Sequence, residues 1–277
     1  MTLEHISYSQ VNTYRQCPRS WYLGRLKGAE SKQTWYTAIG SATHLMIEEW
    51  LKADRPSPED FPSAEFFLYP ILRSQMKIQP DLRQWMAGGP KADPTVGVKA
   101  VELVRVCFER AVKVLESVEV LGVEVDLTGS LPGCPVPIKA FADIIGIHKK
   151  TKRLVILDWK TGMAKPKDGF QLETYAALLE AHPRWLRGDG VDGYYIMLNP
   201  AARKDPWGKP IDLDHVIPGQ IGALYGEVYA QMQKRDYRVK SGSSCFNCFV
   251  QESCLDRSGP TPQAVYYDHG DEEGFPF

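Results

Sequence analysis

The sequence predicts a mixed α/β domain, and three observations predict it. Residues 119–127, 136–147 and 153–159 are short β-branched runs bounded by turn formers, as strands are. Helix-periodic stretches precede them, and a further helix and strand follow at 169–181 and 191–198. Helices, three meandering strands, a helix and a strand combine into a mixed central sheet flanked by helices.

In chain order, residues 7–27 read as a helical opening, with Ser7 or Ser9 as N-cap before Val11, Tyr14 and Trp21. A second helix at 36–52 spreads Ile39, Leu45, Ile47 and Leu51 along an apolar side. Pro56, Pro58, Pro62, Pro70, Pro80, Pro90 and Pro94 mark 53–96 as an irregular insertion with one short helix near 63–76. A long helix at 97–118 leads into the strands, Asp168 can cap the helix at 169–181, and a last helix spans 218–235. The layout predicts one domain over 1–256: N-terminal helices 7–52, insertion 53–96, α/β core 97–200, then a helix and cysteine cluster at 218–256. Residues 257–277 form an acidic tail, expected to be disordered.

At 277 residues, 43% hydrophobic and 24% charged, the chain can build a core without a disulfide scaffold. A net charge of −1 gives no global sign of a polyanionic partner. Basic residues do gather at 148–153 and at Lys160, Lys165 and Lys167, beside the motifs below. No stretch approaches the roughly 20 apolar residues of a membrane span. Met1–His5 lacks a secretory pattern, so the expected address is the cytoplasm, with no membrane partner.

The most informative segment is Ile138–Ile147, a basic turn, then Leu154–Lys160. Each run is apolar yet contains one aspartate, Asp143 and Asp158. An antiparallel hairpin with Ile147 opposite Leu154 puts Asp143 directly across from Asp158. Like charges facing each other destabilise a sheet, and buried carboxylates need partners. A hard divalent cation, magnesium or manganese, resolves both problems. Alternation puts Lys160 on the face of Asp158, where it can stabilise charge developing on a phosphate, and the Trp159 carbonyl between them can be a further ligand. Glu124, on the preceding strand, is a candidate accessory acid.

Two helix pairs flank this hairpin: His44 with Glu48, and Gln171 with Tyr175, each one turn apart on one face. Alone, either pair is ordinary decoration of a half-exposed helix.

Six cysteines occur, at 17, 107, 134, 245, 248 and 254, and in a cytoplasmic chain they are not expected to pair as disulfides. Cys245, Cys248 and Cys254 form a compact ligand array that needs one more thiolate, for which Cys17 is the candidate. Zinc sites usually have two tightly spaced pairs; one distant cysteine plus a cluster of three suits a four-cysteine iron–sulfur site, with structural zinc as the alternative. Metal bound between the chain's two ends would contribute folding energy. Cys107 reads as a small core residue.

The order of these pieces resembles the RecB-like branch of the PD-(D/E)XK nucleases, especially its CRISPR-associated and phage-encoded exonucleases. The matching residues are Ser7-Tyr-Ser9 leading to Tyr14 and Cys17-Pro18, then Gly40-x3-His44, Asp143, Asp158-Trp-Lys160-Thr-Gly162 and Gln171-x3-Tyr175. The resemblance runs from about residue 6 to residue 254 and leaves the insertion unaccounted for. It implies a restriction-endonuclease-like core with a helical periphery that carries a four-iron, four-sulfur cluster on Cys17, Cys245, Cys248 and Cys254. It also implies that His44, Asp143, Asp158 and the Trp159 carbonyl bind the catalytic metal, and that Lys160 is the catalytic lysine. Gln171 and Tyr175 would support the site or the DNA. Ala140 and Ile144 depart from the family's usual glycine and basic residue, but neither position supplies a ligand. The implied activity is exonucleolytic, on single-stranded DNA or duplex ends, from the 5′ side, in recombination, repair or phage DNA metabolism.

Trp21, Trp35, Tyr36 and Trp159 can stack on unpaired bases and are equally explained as core. The end, Asp268 to Phe277, resembles the acidic, Pro-Phe-ending tip of bacterial single-stranded-DNA-binding proteins, so a protein pocket that reads such tails is a candidate partner. Two rival readings are a non-catalytic DNA-binding recombination accessory and a zinc-stapled interaction module.

Overall fold

The computed structural model describes residues 3–29, 35–78, 96–180, 182, 185, 189–240, 245, 248–250, 253 and 254. The tail at 257–277, with its expected disorder and Pro-Phe ending, lies outside them, as does much of the insertion beyond its helix.

The opening helix is two helices, not one. α1 (Tyr8–Gln16) and α2 (Pro18–Leu26) meet at Cys17, which is extended at φ −157° and ψ 107°. Pro18 causes the break, because it excludes the residue before it from helical geometry while itself suiting a first helical position. Ser7 caps α1, accepting from the Gln10 N–H. α3 (Trp35–Lys52), α4 (Ala64–Ile78, with Pro70 inside) and α5 (Val96–Leu115) follow.

The sheet is built from β2 (Val118–Asp126), β4 (Phe141–His148), β5 (Leu154–Lys160), β6 (Val191–Met197) and β7 (Ile211–Asp212), in the order β2-β4-β5-β6-β7. β2–β4 and β4–β5 are antiparallel, and β5–β6 is parallel across α6 (Phe170–Leu179). The expected strand at 136–147 is interrupted at Ala140, whose carbonyl accepts from the Leu127 N–H and whose N–H donates to Thr128 Oγ1. The earlier piece, β3 (Ile138–Lys139), pairs in parallel with β1 (Ile6–Ser7), a pairing too short to leave a sequence pattern.

Both faces of the sheet are covered. Val155, Leu157 and Trp159 pack with α3, α4 and α5, while Leu154 and Ile156 pack with α1, α2, α6 and α7 (Pro218–Gln233). That two-sided burial is why the hydrophobic run of β5 is nearly continuous rather than alternating. On α7, a Cβ at Gly222 would lie 2.1 Å from the Pro132 carbonyl oxygen, and one at Gly226 2.0 Å from that of Gly133. These glycines let the helix backbone seat directly on the 131–134 loop. Among the described residues, no helix is long and apolar enough to cross a membrane.

Candidate metal centre and hydrolytic site

The hairpin has the expected register: Ile147 pairs with Leu154 and Ile144 with Leu157. One step further, at Asp143 and Asp158, a side chain takes over, and the Trp159 N–H donates to Asp143 Oδ2 at 2.6 Å. On the other flank, Val123 pairs with Ile144 and Val125 with Ala142, which sets Glu124 opposite Asp143. Asp158 pairs with Tyr195 on β6. Glu124, Asp143, Asp158 and Tyr195 therefore form one row across four strands.

The backbone bends at this row. Glu124 has φ 46°, in the left-handed region that non-glycine residues seldom occupy. Val123 and Ile144 pack into the α3–α5 core, whereas Val125 and Ala142 pack into the opposite one. Strain of this kind, of order 1–3 kcal/mol, collects at functional sites.

His44 joins the row from α3, with Nδ1 3.4 Å from Asp143 Oδ1. One ligand atom each from His44, Glu124 and Asp143 lies within 4.8 Å of the others, a grouping that can hold a metal ion. Burial would lower the His44 pKa, but the hydrogen bond and charge of Asp143, with Asp158 and Glu124 beyond, outweigh it and push the value up to about 9. Glu124 is raised by burial and by the charge of Asp143. Glu48, one turn from His44, turns instead to Lys52 at 2.6 Å.

Asp158 is 3% exposed and is held by a second group. Gln171 Nε2 donates to Asp158 Oδ1 at 2.7 Å and to Tyr175 Oη at 2.8 Å. Lys160 Nζ donates to Gln171 Oε1 at 3.0 Å, lies 2.6 Å from Asp158 Oδ2 and sits over the Tyr195 ring at 5.3 Å. Burial raises the Asp158 pKa against the opposing charge of Lys160. One glutamine thus fixes both the acid and the base.

Sequence reasoning named Asp143, Asp158, Lys160, Gln171, Tyr175 and His44, and the fold brings all six together. The third member of the ion-sized group is Glu124, expected only as an accessory acid, while both Asp158 oxygens face Lys160 and Gln171. The Trp159 N–H is taken up by Asp143. Gly40 follows from packing, since a Cβ there would lie 3.1 Å from Thr161 Oγ1.

The basic run at 148–153 serves the hairpin turn, at the opposite end of β4 and β5. Lys149 Nζ donates to the Glu116 carbonyl at 2.7 Å, and Arg153 contacts Asp192, Asp212 and Asp214 at 3.0, 3.4 and 2.8 Å.

All six cysteines are free thiols. Cys17 stands at the α1–α2 break, and the chain's end returns to it: the Arg19 N–H donates to the Arg238 carbonyl and Lys240 Nζ to the Arg15 carbonyl. Cys248 Sγ contacts Ser20 Oγ at 3.7 Å. Burial and the charges of Cys17, Cys248 and Cys245 push the Cys254 pKa up, so the four thiols share one neighbourhood. No three of them lie within the 4.8 Å reach that joins His44, Glu124 and Asp143. Cys107 is fully buried in α5 and its thiol is pushed up to about 12 by burial, while Cys134 donates to the Val136 carbonyl.

Residues 5–255 match the sequence model of the family described as the PD-(D/E)XK nuclease superfamily. No curated protein matches the chain. A solved structure named "Crystal structure of SSO0001" aligns at 13% identity over 94% of this chain and 89% of that one, with a TM-score of 0.33, and at that likeness it carries no argument.

Proposed function

The chain belongs to the PD-(D/E)XK nuclease superfamily, and on that premise we propose that it is a metal-dependent deoxyribonuclease acting as an exonuclease on single-stranded DNA or duplex ends, in the 5′-to-3′ direction. The observation that carries the reading is the row of three carboxylates, with His44 at one side and the Lys160–Gln171–Tyr175 group at the other.

The donor set of one imidazole and several carboxylate oxygens fits magnesium or manganese. His44, Glu124 and Asp143 would hold the ion, with Asp158 and the Trp159 carbonyl as its further donors. Such an ion, when bound, polarises a phosphoryl oxygen and lowers the pKa of a bound water. Lys160 directs its ammonium at the charge that develops on the phosphate. Gln171 holds Lys160 and Asp158 at fixed positions, and Tyr175 anchors Gln171 from one turn below. The apolar flanks of β4 and β5 keep water from the buried side of the row.

Cys17, Cys245, Cys248 and Cys254 would hold a four-iron, four-sulfur cluster, linking α1 to the C-terminal segment. The shared electrostatic neighbourhood of the four thiols supports this. One distant cysteine with a cluster of three favours a four-cysteine cluster over a single zinc ion. The setting is recombination, repair or phage DNA metabolism.

The test is degradation of end-labelled single-stranded DNA with manganese by wild type, wild type plus chelator, and Asp158→Ala. Activity lost in both controls supports the reading. A folded, cluster-loaded wild type without activity points instead to a non-catalytic DNA-binding protein, and activity that survives Asp158→Ala removes the hydrolytic role from this row.

A further inference from the structure

Beside the carboxylate row lies a solvent-open groove of about 200 Å³, with Tyr8, Asn12, Arg15 and Gln16 on one wall and Asp168 and Phe170 on the other. The four α1 residues follow helical spacing and so form one stripe along that helix. Phe170 opens α6 and is adjacent to Gln171, the residue that holds Asp158 and Lys160.

The groove contains a prepared cation. The Arg15 guanidinium lies over the Phe170 ring at 5.0 Å from its centroid, and Phe170 is itself stacked on Tyr225 at 5.3 Å. Among the described residues Arg15 has no carboxylate in ion-pair contact. It is exposed, so the aromatic platform sets its plane while its N–H groups stay open to a ligand. The Tyr8 ring stands 6.1 Å from the Phe170 ring across the groove.

We propose that this groove is the subsite for the nucleotide that flanks the scissile phosphate, with Arg15 binding that nucleotide's phosphate. The inference rests on the nuclease reading above. A planar guanidinium suits a phosphate's bidentate geometry. The amides of Asn12 and Gln16, joined by a bond from Gln16 Nε2 to Asn12 Oδ1 at 3.3 Å, keep their remaining donors and acceptors for a base edge. The volume falls below the roughly 300–1,000 Å³ of a whole-ligand pocket, so the groove takes part of one strand and not a duplex. Arg15 is then a positioning residue: it fixes the register of the strand over the row and touches no reacting atom.

The test uses full-length, cluster-loaded protein. Binding of a fluorescein-labelled oligothymidylate is followed by anisotropy over a salt series in an Asp158→Ala background, which keeps the strand intact. KM and kcat are measured in the otherwise wild-type chain. Arg15→Gln is expected to weaken binding roughly five- to tenfold and to flatten the slope of log affinity against log salt by about 0.7, the amount for one lost single-strand phosphate contact. KM rises while kcat stays within about twofold, and Arg15→Lys restores most of the slope. A merely structural Arg15 would change the melting temperature and leave the salt slope alone. Wild-type slope and KM in Arg15→Gln, with the wild type still degrading DNA, would remove the subsite and leave the nuclease reading standing. A wild type that neither binds nor degrades the strand would overturn both.

Discussion

Glu124 and Asp143 face each other across neighbouring antiparallel strands, two carboxylates in one register position with His44 as their shared neighbour. Such a pair destabilises the sheet unless positive charge lies between or beside it. Glu124→Gln is therefore expected to act in opposite directions on stability and on metal binding. Without divalent metal and above about pH 9, where His44 loses its charge, the variant should melt about 1–3 °C higher, as a repulsion of a few tenths to 1 kcal/mol is relieved. With manganese its affinity should fall at least tenfold by titration calorimetry. Equal manganese affinity in the two proteins would remove Glu124 from the ion's shell.

Gln171 touches the lysine and the acid at once, so its loss should resemble a weakened Lys160 rather than a weakened substrate site. Gln171→Ala is expected to lower kcat about 10- to 100-fold with KM nearly unchanged. Lys160→Ala should lower it by about 100- to 1,000-fold. The double variant should fall no further than Lys160→Ala alone, because the two residues act as a unit. Additive losses in steady-state rates would show that Gln171 has a separate role.

The cysteine neighbourhood gives a compositional test. Protein purified without oxygen should be brown and carry about four iron and four sulfide per chain, the content of one such cluster. Cys17→Ser should lose both iron and colour and should unfold more easily, because the link between α1 and the C-terminal segment is gone. Colourless protein with one zinc per chain would establish the single-ion alternative.

Gly226→Ala tests the contact of α7 with the 131–134 loop. The new methyl would overlap the Gly133 carbonyl oxygen, so the helix must shift outward at a cost of about 1–3 kcal/mol. Urea unfolding should register that loss. Gly219, where an added Cβ meets nothing within 4 Å, is the control, and Gly219→Ala should be neutral or slightly stabilising.

The hairpin was legible from sequence because its register follows from two apolar runs and one turn, and a ladder propagates a register without further information. Asp143 and Asp158 stood out there as charges among Ile and Leu. Glu124 stood out only as an accessory acid, because Glu119 and Asp126 sit on the same strand, and the local φ of 46° and the packing switch are what set it apart. The helix break at Cys17 was written in Pro18 yet hidden by apolar periodicity that continues through Trp21. Gly222 and Gly226 gave no sign, since their reason is a loop about ninety residues earlier in the chain. The basic run had no readable role in the sequence, because a cluster of Lys and Arg looks the same whether it meets a phosphate or, as Arg153 does, three aspartates.

The Trp159 N–H donates its hydrogen bond to a carboxylate where a strand amide would ordinarily donate to a carbonyl. Main-chain order at the open end of the hairpin is thereby placed under the control of an ionisable side chain that also serves the active centre. Whatever neutralises or displaces Asp143 loosens the Trp159 amide first, while the amides deeper in the ladder keep their carbonyl partners. The end of the sheet is in effect a latch, and its state can be read from the solvent exchange of one proton.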